Sequence, residues 1–173
     1  INALLLDRVR AGKRVCRLKG GDPYVFGRGS EEAAALAEAG LPFQVIPGIT
    51  AANGCGAYAG IPLTHRGLAQ AVTFVTGHAA SDDSTNGTEP DWAALAALGH
   101  TLVIYMSGRK LAVITAELIA RGRSDNTPAA VVIAGTLPEQ RIITGTLADI
   151  AQRSAEAGLG SPALLYVGEV VAL

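Results

Sequence analysis

A chain of 173 residues with 49% hydrophobic and 17% charged side chains can bury roughly 70% of the surface its unfolded form exposes, as one core or two small ones. Its apolar residues are spread out rather than gathered into a run of about 18 or more, which argues against a membrane-spanning helix. A formal net charge of -1 argues against a general polyanion binder. The two cysteines, Cys16 and Cys55, have neither metal-ligand nor redox spacing, and the opening residues carry no signal-peptide pattern. Reduced, buried thiols in a cytoplasm, with no metal, are expected.

The first eleven residues place Leu4, Leu5 and Val9 near helical spacing, and Gly12 supplies a stop. A helix opening the chain without a cap or an initiator methionine leads to the expectation that residues upstream are absent. A strand is predicted over residues 14–18, followed by the Gly20-Gly21-Asp22-Pro23 turn and the Gly27-Arg28-Gly29-Ser30 segment. Ser30, followed by Glu31 and Glu32, is predicted to cap a helix reaching about residue 39 and stopped by Gly40. A short strand over 43–46 closes at Pro47-Gly48, and Thr50 is placed to cap a helix through about residue 58. This order is that of an α/β layer with parallel strands.

Further on, strands are predicted over 71–77, 101–106, 129–134, 140–144 and 163–170, and helices over 91–98, 108–121 and 146–156. Residues 79–90, polar and without an apolar anchor larger than alanine, read as a mobile surface loop. The change of style near residues 60–66 divides the chain into subdomains over 1–62 and 63–173.

Between residues 8 and 28 stand seven basic side chains (Arg8, Arg10, Lys13, Arg14, Arg17, Lys19, Arg28) against one acid, Asp22. So compact a cluster suits a small carboxylate-rich ligand better than duplex nucleic acid, although each cation can equally be a solvated surface residue. The Gly20-Gly21 pair at a strand end lets a backbone approach a ligand closely. Asp22 is then either an acceptor for a ligand ammonium or a tie for its own loop.

Three segments, RLKGGDPYVFGRGSEE (17–32), VIPGITAANGCGAYAGIPLTHR (45–66) and TFVTGH (73–78), together resemble the uroporphyrinogen-III C-methyltransferases, a branch of the tetrapyrrole methylase superfamily. The likeness continues more loosely through LVIYMS, IAGTLPEQRIITGTL and SPALLYVGEVV. It implies two α/β subdomains with a cleft for S-adenosylmethionine between them, a cytoplasmic homodimer and a small tetrapyrrole substrate, uroporphyrinogen III, methylated at two carbons to precorrin-2 for sirohaem or cobalamin. It also implies cofactor contacts at Gly20, Gly21, Asp22, Val25, Thr50, Ala51, Met106 and Gly135, and substrate contacts at Arg28, Arg17, Thr64, His65 and Arg66. A planar guanidinium holds a propionate or acetate through two parallel hydrogen bonds, which places Arg28 first among these. His65 reads more readily as a hydrogen-bonded structural residue than as a catalyst, and His78 and His100 carry less still.

The sequence departs from that family at its start. The opening strand and Gly-Pro-Gly-Asp-like loop are absent, and the proton-transfer groups are expected upstream, so no residue here is assigned as catalytic and the chain alone is expected not to turn over. Two alternatives stand beside the main reading: a methylase of a later precorrin, and a non-catalytic cofactor-binding or dimerisation module.

Overall fold

The computed structural model describes residues 1–77, 89–158 and 160–173. Most of the polar stretch read as a surface loop, and His78, lie outside the described residues. The chain forms two compact units, Ile1–Thr50 and Ala51–Leu173.

The first unit is built on two helices, α1 (Asn2–Arg10) and α2 (Gly29–Glu38). In α1 the half-buried face is Leu5, Leu6 and Val9, while Leu4 is exposed. Arg8 and Arg10 in the last turn complement the helix dipole. Both helices stop as the glycines predict. Gly12 and Gly40 take left-handed conformations (φ +73° and +66°), and paired amides return to the last turn: Gly12 to Val9 and Lys13 to Arg8, Gly40 to Ala37 and Leu41 to Leu36. This pairing satisfies carbonyls that a helix end leaves open.

Three local expectations fail in this unit. Residues 14–18 and 43–46 form no strand. A strand is defined by a ladder partner, and none is present among the described residues; Leu18 is 84% exposed and Ile46 69%. Ser30 is not the cap of α2: the Gly29 amide is taken by the Pro23 carbonyl at 2.9 Å, and the helix begins at Gly29, two residues earlier than a Ser30 cap would start it. The helix is entered instead through Arg28 in the left-handed region (φ 57°).

The second unit holds α3 (Ala51–Ala59), β1 (Val72–Thr76), α4 (Trp92–Ala97), β2 (Thr101–Tyr105), α5 (Leu111–Ala120), β3 (Pro128–Ile133), β4 (Arg141–Thr146), α6 (Ile150–Glu156) and β5 (Ala163–Val167). The segment read as one helix over 108–121 divides into a 3₁₀ turn, Gly108–Lys110, and α5. The last predicted strand ends at Val167, because Gly168 turns the chain into a second 3₁₀ turn, Glu169–Ala172. The helix predicted from residue 146 starts only at Ile150, since Thr146 ends β4, pairing with Pro128.

The sheet runs β1-β2-β5-β3-β4. Only β1 and β2 pair in parallel; the other three pairings are antiparallel. The expectation of a parallel layer is thus corrected: β5 runs between β2 and β3 in the opposite sense, and β1, β2 and β3 share one direction.

Alternation along the strands sorts the core. Leu102, Ile104, Ala129, Val131, Ile133, Leu165 and Val167 meet Leu95, Leu111, Ile114, Leu118 and Ile150 in one cluster on the α4, α5 and α6 side. Val103, Tyr105, Val132, Leu164 and Tyr166 fall on the opposite face by the period of two, and that face receives α3, with Ala52 and Cys55 buried. Fully burying one leucine or isoleucine contributes roughly 1.5–3 kcal/mol, so this two-sided sheet carries the stability of the unit.

Candidate active site

In the first unit most of the site residues lie on one loop over residues 20–29, with Arg17 before it and Thr50 at the unit's end. Gly21 is left-handed (φ +70°). Asp22 then turns its carboxylate back on the chain: Oδ1 accepts the Tyr24 amide at 2.8 Å and Oδ2 the Gly48 amide at 3.1 Å. The Gly48 amide, and next the Tyr24 amide, hold the Asp22 carboxyl below the usual carboxylate range. Of the two roles the sequence leaves open for Asp22, the loop tie is present.

Gly48 is a glycine for a steric reason, since a Cβ there would overlap the Gly21 carbonyl. Gly20 differs: a Cβ there would meet no protein atom within 4 Å. Val25 donates its amide to the Asp22 carbonyl at 3.3 Å, closing the turn. Phe26 and Arg28 both have positive φ (53° and 57°), and side chains at Gly27 or Gly29 would strike the Pro23 carbonyl.

Two arginines proposed for substrate carboxylates are engaged by glutamates. Arg28 grips Glu31 with Nε (3.0 and 3.1 Å) and Nη2 (2.8 Å), with 80% of its side chain exposed. Arg17 Nε meets Glu32 Oε1 at 3.0 Å, and Lys19 Nζ meets Oε2 of the same carboxylate at 3.1 Å. Partial burial pushes the Glu32 carboxyl up, and Lys19 and Arg17 outweigh it, for a net lowering. For Glu31 the hydrogen bonds from Arg28 lead, again downward. These groups border a groove of about 460 Å³ at the start of α1. The Arg28–Glu31 pair is open to water and screened by it, whereas the Arg17–Glu32–Lys19 group is the more enclosed of the two. Thr50, buried, ends this unit.

In the second unit the shared direction of β1, β2 and β3 brings their carboxyl ends to one edge. Gly77, just past β1, donates its amide to the Tyr105 carbonyl at 2.8 Å. Met106, just past β2, is left-handed (φ 55°) and 48% exposed. Beyond β3, Ala134 and Thr136 are left-handed (φ 48° and 71°) and flank Gly135. A Cβ on Gly135 would overlap Cys55 of α3, and the Thr136 amide bonds Gln140 Oε1 at 2.7 Å, whose Nε2 reaches the Tyr58 carbonyl at 3.2 Å.

The structure therefore brings Met106, Gly135 and the start of α3, with Ala51, to the same edge. Carboxyl ends of strands are where α/β sheets bind ligands. All five non-glycine residues with positive φ among the described residues lie on these loops; each such conformation costs roughly 1–3 kcal/mol, and such strain gathers at functional sites. Thr64, His65 and Arg66 are exposed on a turn closed by the reciprocal His65–Ala69 backbone pair. His65 makes that pair with its main chain.

Sequence reading missed two residues. The Ala52 amide donates to Tyr105 Oη, and the Ala52 carbonyl accepts from Tyr166 Oη, each at 2.9 Å. Partners 53 and 114 residues apart leave no local signal. Among the described residues no cluster of His, Cys, Asp and Glu could hold a metal ion, and no helix is long and apolar enough to cross a membrane.

A mixed sheet with strained loops gathered at its strand ends in one unit, and a glycine-rich loop tied by an aspartate in the other, are the features of a small-molecule-binding α/β protein. The family described as Tetrapyrrole (Corrin/Porphyrin) Methylases matches residues 1–151, and the chain belongs to it. Siroheme synthase 2 of Aeromonas hydrophila subsp. hydrophila is 55% identical over 172 residues, covering 99% of this chain and 35% of that protein. A siroheme synthase of Pseudomonas putida is 57% identical over 173 residues, 100% of this chain and 36% of that one. The chain thus spans about a third of the length of these relatives. Among solved structures, uroporphyrin-III C-methyl transferase from Thermus thermophilus, complexed with S-adenyl homocysteine, is similar at 38% identity and a TM-score of 0.82, covering 99% of this chain and 73% of that one. The cobalt precorrin-4 methyltransferase CbiF is similar at 26% identity and a TM-score of 0.85, over 98% of this chain and 70% of that one.

Proposed function

We propose that the chain is part of an S-adenosylmethionine-dependent methyltransferase that C-methylates uroporphyrinogen III at two pyrrole carbons, giving precorrin-2 and S-adenosylhomocysteine. The observation that carries this reading is the likeness of 99% of the chain to the Thermus enzyme complexed with S-adenyl homocysteine, at 38% identity. Bound S-adenosylmethionine supplies a methyl group activated by its sulfonium.

The chain's own residues bind and orient. Gly20, Gly21, Asp22, Val25, Thr50, Ala51, Met106 and Gly135 are proposed for the cofactor. Two features fit that group: the open space beside Gly20, which lets a ligand meet bare backbone, and the half-exposed thioether of Met106, a soft surface for a purine. Asp22 serves by fixing its loop. Gly135 serves by letting its turn close against α3.

Arg28, Arg17, Thr64, His65 and Arg66 are proposed for the substrate carboxylates. No residue of this chain is proposed for the proton-transfer step; a carboxyl in that role works best with its pKa raised toward neutrality. Every carboxyl with a shifted pKa among the described residues (Asp22, Glu31, Glu32, Asp149) is shifted down. The same reading takes the working form as a cytoplasmic homodimer, to be checked by sedimentation, and keeps the subdomain boundary at residues 62/63.

A second reading, methylation of a later precorrin, is favoured by the likeness to CbiF at a TM-score of 0.85. Incubating the intact protein with uroporphyrinogen III and methyl-labelled cofactor separates them: label enters that macrocycle under the first reading, and only a later precorrin under the second. In the same assay Arg28→Leu is expected to raise KM for the macrocycle roughly tenfold, as for loss of one charge-assisted pair, with S-adenosylhomocysteine affinity unchanged. Unaltered kinetics would return Arg28 to a surface partner of Glu31.

A further inference from the structure

We propose that Tyr105 is a positioning residue for the cofactor, acting through the first turn of α3; this rests on the methyltransferase reading above. The amides of a helix's first turn have no partner inside the helix, and a buried one must find a partner elsewhere. Ala52, the second residue of α3, is fully buried. Its N–H is satisfied by a phenol from the sheet, Tyr105 Oη at 2.9 Å.

Tyr105 is the last residue of β2, so successive side chains there point to opposite faces. Tyr105 reaches α3 while its neighbour Met106 leaves the strand in the left-handed region, half exposed. One hydrogen bond thereby fixes the start of α3, with Ala51, against the strand end that carries Met106. The Cys55–Gly135 contact, one turn along α3, fixes the third strand end to the same helix. Two residues proposed for the cofactor, Ala51 and Met106, are held in register by a bond that neither of them makes, and Gly135 joins them through Cys55.

Tyr166 provides an internal control. Its phenol donates to the Ala52 carbonyl at 2.9 Å and accepts from the Gly56 backbone amide, so it grips α3 a turn further in and leaves the Ala52 amide to Tyr105. Losing the Tyr166 hydroxyl leaves the Ala52 amide with its phenol partner; losing that of Tyr105 takes the partner from a buried donor in the first turn. Replacing either tyrosine by phenylalanine keeps the ring and its packing.

The experiment is calorimetric titration of S-adenosylhomocysteine into the intact wild-type protein, Tyr105→Phe and Tyr166→Phe, with KM for uroporphyrinogen III measured on each. Tyr105→Phe is expected to weaken S-adenosylhomocysteine about tenfold and leave the macrocycle KM within about twofold; Tyr166→Phe is expected to change binding by about threefold or less. A folded Tyr105→Phe protein that binds within twofold of wild type overturns the proposal, whatever its melting temperature. Should that variant not fold, amide exchange in the wild type decides: saturating S-adenosylhomocysteine slows exchange in the first turn of α3 by at least about tenfold more than in α5, and equal slowing overturns the proposal. A wild type that binds no S-adenosylhomocysteine removes the methyltransferase reading itself, and this inference with it.

Discussion

Asp22 holds its charge with backbone amides alone. Because the Gly48 amide, and then the Tyr24 amide, depress its carboxyl, the anion is favoured in the folded loop over the unfolded chain. The sign follows: this contribution is present above the ordinary carboxylate pKa and is lost as pH falls through the depressed folded value. Denaturant titrations of wild type and Asp22→Asn should differ by a constant amount near neutrality, and the difference should begin to shrink below about pH 4; a difference that does not change as the pH falls would show that the charge is immaterial. The Gly-Gly-Asp-Pro turn is legible in the sequence, down to the alternative that its aspartate ties the loop. The tie's second partner is not, because Gly48 lies 26 residues away and nothing local marks it. Arg28 was legible as a carboxylate-seeking residue, but its left-handed backbone and its glutamate partner follow from how Gly29 docks on the Pro23 carbonyl.

Elements that end at a glycine or consist of one apolar run were read well, because those signals act within a few residues. β2 and β3 sit where their apolar runs put them. Residues 14–18 show the limit: a strand pattern describes one side of a ladder, and the other side has to be supplied from elsewhere. The packing of α3 against the loop after β3 is equally nonlocal. Gly135→Ala should lower stability by about 1–3 kcal/mol in a thermal melt, since its methyl group would occupy the volume of the Cys55 side chain. Cys55→Ala combined with it should recover part of that loss, so the two changes are not additive. Strict additivity would mean that α3 and the turn accommodate the methyl independently.

For the molecule as a whole, sequence patterns supplied the alternation of strands and helices but not the order of the sheet. Parallel pairing follows naturally from a strand–helix–strand reading, and β1 and β2 obey it. The placement of β5 depends on register matches such as Val103 with Tyr166 and Val131 with Leu165, which no window of neighbouring residues contains.

That placement also sets a timetable for synthesis. Of the five strands, the one translated last is the one in the middle: within the sheet, β1-β2 and β3-β4 are hydrogen-bonded together through β5. Until residues 163–167 leave the ribosome, the nascent chain carries two separate two-stranded ribbons, each marginal alone and each presenting the open inner edge of β2 or β3 to any other strand nearby. A chain stopped before residue 163 should therefore be recovered as aggregate rather than as a smaller soluble domain, and pelleting assays on such stops would reveal it. Completion of this half of the protein is a single late event, in which the final strand slots between two waiting edges and closes both.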